Sequence, residues 1–302
     1  MKKLNKPEFS IKDIIEENNN YFEKELNEEI NDLVEEEKEY IEKGESKKLY
    51  EIKESKHEKI KKLYDKFYGN QKYGYRSEII GKTVRCPICG SPFGYGTLWL
   101  DHVLPQSRFE KLAITPINLV PFCASCNQGK GTKIGNKEMG ILNPYFNCYE
   151  LKSYLELNMI IIDNKIDIEI KIKEYSEILE EKEIEEHNYK KIKFHIELYK
   201  ITETLKKRAE AVYATTLLGI IKLGSKEILK ENKIKSKLKE IQNREYIDTS
   251  EYLDEEFFKQ KLIEELLNSN NSSELIKICT NDVNKEIKTN RKILEKIKKD
   301  DV

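Results

Sequence analysis

The chain has no apolar run of the roughly 18 residues that a membrane span needs. Its opening, MKKLNKPEFS, also lacks the apolar stretch of a secretion signal. A cytoplasmic protein with no membrane segment is therefore expected. No internal repeat is visible. Cysteine is scarce, at six residues in 302. Four of the six stand in two C-x-x-C pairs, Cys86/Cys89 and Cys123/Cys126. Without a secretion signal, that pattern points to metal rather than to disulfides. Cys148 and Cys279 are isolated and read as idle or buried thiols. Apolar residues are also modest, 38% against 36% charged, which favours surface-rich helices over one large core.

Neither sign of charge dominates, and the net charge is −1. The distribution is uneven. Residues 1–68 hold 15 Lys+Arg and 19 Asp+Glu, residues 69–148 hold 9 and 4, and residues 149–302 hold 30 and 32. The middle segment, which contains all four paired cysteines, is thus the one basic part of the chain, and this suits a polyanionic substrate.

Periodicity places helices on both sides of that segment. Ser10 and Asp13 form a capping-box pattern, and Phe22, Leu26, Ile30 and Leu33 follow at helical spacing. The acidic run Glu35, Glu36, Glu37 and Glu39 reads as a solvated face. After a break at Gly44 and Ser46, Ile60, Leu63, Tyr64 and Phe67 mark a second helix, with His57 on its exposed side. Residues 69–85 read as an entry loop in which Tyr73, Tyr75 and Arg76 pack rather than bind. Beyond the cysteines, Tyr154 to Ile162, a turn at Asp163–Lys165, and alternating Ile166, Ile168, Ile170 and Ile172 predict a β-hairpin, a candidate to extend the small sheet of the middle segment. Helices follow from about Ser176. One runs through Ile221 and stops at Gly224, one is marked by Phe258, Leu262 and Leu266, and a last one by Ile276, Cys279, Val283 and Ile287. His187 and His195 read as surface or packing residues. The fold class predicted is α+β, mostly helical. The units are an N-terminal helical segment (1–68), a zinc-stapled core (69–148), and a β-hairpin followed by C-terminal helices (149–302).

The chemistry lies between Cys86 and Lys133. Two C-x-x-C turns supply four thiolates to one tetrahedral Zn²⁺. The long gap from Cys89 to Cys123 means that the intervening segment is itself a structure, pinned at both ends. It contains a short buried strand, Thr97–Leu100, and then Asp101-His102. Asp101 is a hard oxygen ligand suited to Mg²⁺ or a similar ion. His102 titrates near neutrality and can take a proton from water. Neighbouring strand residues point to opposite faces, so for both to serve one site the strand must bend or end, as Pro105 suggests. Asn127 follows Cys126 on the first turn of a helix, where its amide oxygen can be a second metal ligand. Asn118 precedes a second strand, Leu119–Phe122. Lys130, Lys133 and Arg108 are candidates to hold substrate phosphates. Trp99 and Gln106 read as shaping the site.

The elements CPIC, DHVLP, NLVPFCASCN and GKG together resemble the HNH endonuclease core, the ββα-metal fold, in its Asp-His form with flanking zinc pairs. The resemblance covers Cys86 to about Asn143. It implies that His102 is the general base, that Asp101 and Asn127 hold one catalytic divalent ion (Mg²⁺ or Mn²⁺), that Asn118 braces the loop and orients His102, and that Cys86, Cys89, Cys123 and Cys126 hold structural Zn²⁺. Many family members carry His where Asn127 stands here, which leaves this metal with oxygen ligands only. The implied activity is phosphodiester hydrolysis, most simply in DNA. RNA cleavage and a non-catalytic zinc adaptor are the alternatives. One such site cuts one strand, so a homodimer through the helical flanks is expected. The order LNPYFN (Leu142–Asn147), hairpin, long helix also resembles the C-terminal extension of HNH subunits in bacterial anti-phage systems. That resemblance implies an ATPase partner subunit.

Overall fold

The computed structural model describes residues 1–26, 29–69, 71–81, 83–93, 98–224, 230–242, 253 and 255–300. Helix α1 (Ile11–Glu17) opens on the expected box: the Ser10 hydroxyl accepts from the Asp13 N–H, and the Asp13 carboxylate accepts from the Ser10 N–H. The apolar spacing beyond it does not give one continuous helix. The chain breaks at Asn18 into α2 (Asn19–Glu25) and restarts as α3 (Ile30–Glu45). Asn18 Nδ2 donates to the Ile14 carbonyl (2.8 Å) and to the Tyr75 hydroxyl (3.1 Å), the kind of side-chain competition that ends helices. Helix α4 (Glu58–Phe67) is capped by His57, whose Nδ1 accepts from the Ile60 N–H. With its side chain only 16% exposed, His57 is not the free surface residue expected. The expected entry loop contains a short helix, α5 (Tyr75–Ile80), which buries Tyr75 and Ile79. Tyr73 and Tyr75 pack against Phe67.

The acidic run on α3 is not solvated throughout. Glu37 is buried, and both its carboxylate oxygens accept from the Ile11 N–H (3.2 and 3.0 Å). It thereby serves one of the orphan donors at the start of α1. Burial raises its pKa to about 7.

The cysteine-rich segment folds as two strands and a helix. Strand β1 (Leu98–His102) pairs antiparallel with β2 (Leu119–Cys123), and α6 (Ala124–Lys130) follows directly. Ile11, Ile14, Phe22, Leu33, Ile60, Leu63 and Phe67 from the N-terminal helices share one core with Leu100, Ala113, Ile114 and Leu119. The flanking helices are therefore a wall of this core, and not a separate layer.

Strands β3 (Leu155–Ile162) and β4 (Lys165–Ile172) form the predicted hairpin. Its two-residue turn has both Asp163 and Asn164 at positive φ (50° and 60°), the backbone that tight hairpins demand. Leu157↔Ile170 and Met159↔Ile168 make one face apolar. The hairpin does not extend the β1–β2 sheet; among the described residues there are two separate two-stranded sheets. The remaining helices are α7 (Tyr175–Glu181), α8 (Glu186–Leu198), α9 (Ile201–Gly224), α10 (Glu231–Gln242), α11 (Glu255–Asn268) and α12 (Ser272–Asp300). The fold is α+β and mostly helical. Helix α9 ends at the predicted Gly224. The chain forms two compact units, Met1–Tyr154 with Lys173–Thr202, and Leu155–Ile172 with Glu203–Val302. In the second, Phe258, Leu262 and Leu266 of α11 and Ile276, Cys279 and Val283 of α12 are buried, as their spacing predicts. No helix among the described residues is long and apolar enough to cross a membrane.

Candidate metal centre and nuclease site

The four paired cysteines converge. Their sulfurs lie within 4.8 Å of one another, and all four residues are buried. Cys89 Sγ and Cys123 Sγ are 3.7 Å apart. Tetrahedral Zn–S bonds of about 2.3 Å put neighbouring sulfurs about 3.8 Å apart, whereas a disulfide would hold them at about 2.0 Å. The cluster thus fits one Zn²⁺. The first pair sits on a tight turn. The Gly90 N–H donates to the Cys86 carbonyl (2.9 Å), and the Cys86 N–H donates to the Ser91 carbonyl (2.8 Å). Gly90 has φ +74°, a region that glycine enters without strain. The second pair spans the end of β2 and the first turn of α6, so the metal would pin the helix to the hairpin.

Strand β1 ends at His102, and this brings neighbouring side chains to one place. His102 is 3% exposed; its Nε2 is 2.9 Å from the Ala113 carbonyl, and its Nδ1 is 3.5 Å from Asp101 Oδ1. A carbonyl can only accept, so Nε2 carries the proton and Nδ1 presents its lone pair beside the carboxylate. Two electron-rich atoms that close call for positive charge between or beside them. Tyr64 packs on the imidazole (centroids 4.8 Å) while its hydroxyl donates to the Leu100 carbonyl (2.6 Å).

The loop that carries the Ala113 carbonyl is held by Asn118, which is fully buried. Asn118 Nδ2 donates to the Leu104 and Leu112 carbonyls (3.1 and 3.3 Å), and its Oδ1 accepts from the Leu104 N–H (2.8 Å) and the Tyr40 hydroxyl (2.9 Å). One side chain therefore ties the start of the 103–117 loop to the Leu112 carbonyl, next to the Ala113 partner of His102. Two participants escaped the sequence reading. Tyr40 comes from α3, and its hydroxyl accepts from Asn143 Nδ2 (3.0 Å), which also donates to the Ile117 carbonyl (2.9 Å). Leu33, Glu37 and Tyr40 are all buried on α3 at helical spacing, so the periodicity could have flagged Tyr40 as buried. Its polar partners lie 78 and 103 residues away and leave no local trace.

Asn127 Oδ1 is buried without a hydrogen-bond partner. An orphaned amide oxygen on the helix that packs against β1 is what a ligand awaiting a hard cation would show. Residues 86–133 match the HNH endonuclease family. A 56-residue stretch of the chain is 38% identical to protein ea31 of Escherichia phage lambda, covering 18% of this chain and 18% of that protein. The chain thus matches less than a fifth of that relative's length. No solved structure matches.

Within the HNH segment, Asp101 is the charged centre. Burial raises its pKa, but His102, when its ring is protonated at Nδ1 and donates to the carboxylate, and the positive charge of Lys130 outweigh this and hold the carboxyl below its usual value. Lys130 is 1% exposed, and burial lowers its ammonium pKa against the pull of Asp101. It faces the site from inside the fold and not from the surface, whereas Lys133 is exposed. Arg108 Nε donates to Glu54 (2.9 Å), and Arg108 Nη1 donates to the Thr132 carbonyl (3.5 Å). Gly129 lets α6 approach closely, since a Cβ there would stand 2.8 Å from the Tyr199 carbonyl oxygen. Gln106 clamps the loop by donating to the Lys61 carbonyl (2.7 Å). The strand is not uniformly buried as expected. Leu100 and His102 turn inward, while Trp99 is 54% exposed and Asp101 half-buried; Thr97 lies outside the described residues. His187 is exposed, and His195 is buried against Tyr149 and Tyr199.

Proposed function

We propose that the protein is a metal-dependent endonuclease that hydrolyses phosphodiester bonds in DNA. The observation that carries this reading is the locked imidazole: His102 spends its Nε2 proton on the Ala113 carbonyl and turns its Nδ1 lone pair toward Asp101. His102 then acts as general base, taking a proton from water at Nδ1 while the oxygen attacks phosphorus. The bond to the leaving deoxyribose oxygen breaks, and that oxygen is protonated from solvent. Asp101 and Asn127 are the candidate ligands of one hard cation, Mg²⁺ or Mn²⁺. When bound, it would neutralise charge on the phosphate and the leaving oxygen. Asn118 positions His102 through the loop. Lys133 meets substrate phosphates from solvent, the enclosed Lys130 adds positive charge beside Asp101 without touching them, and Arg108 would exchange Glu54 for phosphate.

Incubating the purified protein with supercoiled plasmid in Mg²⁺ or Mn²⁺, with an EDTA control, tests the proposal. Cleavage should require the cation, and His102→Ala should slow it by roughly 10²- to 10⁴-fold, the usual value of a general base. If plasmid and oligonucleotides survive equally with both proteins, the catalytic reading fails. Structured RNA run in parallel decides the choice of nucleic acid. The relative's being a phage protein does not speak for a defence role, so the anti-phage setting and the ATPase partner stay outside this proposal. A homodimer would supply the second site for a double-strand break, and sedimentation of the free protein measures it.

A further inference from the structure

We propose that Trp99 is a stacking platform for an unpaired nucleobase beside the bond being cut, and that the preferred substrate is therefore single-stranded or locally unpaired DNA. This rests on the nuclease reading above. Trp99 is the one tryptophan of the chain, and more than half its surface is open to solvent. Large aromatic side chains are usually well covered, so an exposed indole asks for a partner. Its position says which kind. Trp99 and Asp101 are two residues apart on β1, so both project from the same face of the strand. The distance along the strand is about 7 Å, within the reach of one nucleotide. The cross-strand neighbours on that face, Phe122 and Val120, are buried, so the indole projects beyond an otherwise covered surface.

Charge selects the occupant. Residues 69–148 carry 9 Lys+Arg against 4 Asp+Glu, whereas the segments on either side are net acidic. A partner that offers a π face together with negative charge is a nucleic-acid strand. In a duplex the base faces are already stacked on their neighbours and only the edges are presented, so an indole platform needs a base that is unpaired or turned out.

The single tryptophan makes the test direct, because all indole emission comes from Trp99. Full-length His102→Ala protein, loaded with Zn²⁺ and held in Mg²⁺, is titrated with oligo(dT), a blunt DNA duplex and oligo(U), while fluorescence anisotropy of labelled oligonucleotide reports binding. Oligo(dT) should quench the emission to a plateau at saturation, and the duplex should quench it far less when equally bound. Trp99→Ala in the same background should weaken oligo(dT) binding by roughly 5- to 150-fold. Trp99→Tyr should restore most of it, with unchanged zinc content and circular dichroism showing that both variants fold. Saturating oligo(dT) without quenching, together with an unchanged affinity for Trp99→Ala, overturns the stacking role while plasmid cleavage by the wild type leaves the nuclease reading intact. Quenching by oligo(U) alone overturns the choice of DNA. A change in emission that tracks protein concentration and dimer mass without nucleic acid means that a second copy covers Trp99, and this too overturns the proposal. If no nucleic acid is bound or cut under any condition, both readings fall together.

Discussion

Replacing Tyr40 with Phe removes one oxygen atom from the middle of the site's support. The hydroxyl donates to Asn118 Oδ1 and accepts from Asn143 Nδ2 in a fully buried position. Phe fills nearly the same volume, so no cavity term arises. Neither partner is stranded: Asn118 Oδ1 keeps the Leu104 N–H, and Asn143 Nδ2 keeps the Ile117 carbonyl. Two buried hydrogen bonds are lost and no group is left wholly unpaired, which puts the cost at about 1–2 kcal/mol. For a cooperative unit of this size, that is a fall of roughly 2–8 °C in melting temperature. Asn118→Leu provides the contrast. It strips partners from Tyr40, from the Leu104 N–H and carbonyl, and from the Leu112 carbonyl, so it should cost clearly more than Tyr40→Phe. It should also lower plasmid cleavage, because the loop segment next to Ala113, whose carbonyl contacts His102, loses its brace at Leu112. Urea denaturation of the three proteins, read by circular dichroism, gives the stabilities. A Tyr40→Phe protein within about 0.3 kcal/mol of wild type would refute the claim that this hydroxyl closes a satisfied network.

Zinc removal should be structural in effect. Elemental analysis should find one Zn²⁺ per chain, and a strong chelator, or Cys123→Ser, should lower the melting temperature and abolish cleavage that added Mg²⁺ does not restore. Chelation that left the melt unmoved would contradict the assignment. Glu37 sets a pH dependence. Burial raises its folded pKa to about 7 from the ordinary 4.5, so its contribution is fully present below about pH 4.5 and is lost as pH rises through 7. Glu37→Gln should therefore gain on the wild type by up to about 3 kcal/mol between pH 4.5 and 8, measured as denaturant midpoints at both ends; a constant difference argues against a protonated Glu37. Gly129→Ala forces a Cβ to 2.8 Å from the Tyr199 carbonyl, which is main chain and cannot swing aside. It should destabilise by about 1–3 kcal/mol and reduce cleavage, and a wild-type melt would show that α6 has room to move.

The site was far more legible than its surroundings because its chemistry is written in local spacing. Two C-x-x-C turns declare a shared metal wherever they occur, and the sulfurs indeed converge. Asp101-His102 before a proline predicted a strand that stops, and β1 does stop at His102. The capping box at Ser10 and the Gly224 stop are likewise local signals. What failed depended on distant partners. The break at Asn18 is made in part by Tyr75, 57 residues on. Glu37 looked like any other member of an acidic run until Ile11, 26 residues back, used it as a cap. The hairpin was read correctly as an element, but nothing in its alternation says which sheet it joins, and it joins neither β1 nor β2.

That division has a consequence for what the flanking helices are for. His102 rests on the Ala113 carbonyl, the carbonyl of the preceding Leu112 accepts from Asn118, and Asn118 accepts from Tyr40 on α3, which in turn accepts from Asn143 beyond α6. Each link is buried and hydrogen-bonded, so each loses most when its partner moves. The family match ends at residue 133, yet the chain that fixes the imidazole begins at residue 40 and closes at 143. A fragment cut to the matched residues would retain the cysteines, Asp101, His102 and Asn127 but lose both outer supports of Asn118. It would also lose the helices that share a core with Leu100 and Leu119, including Tyr64, which packs on His102 itself. Such a fragment should still bind zinc while cleaving poorly, since holding a metal needs only the local turns whereas aiming the imidazole needs the wall behind it.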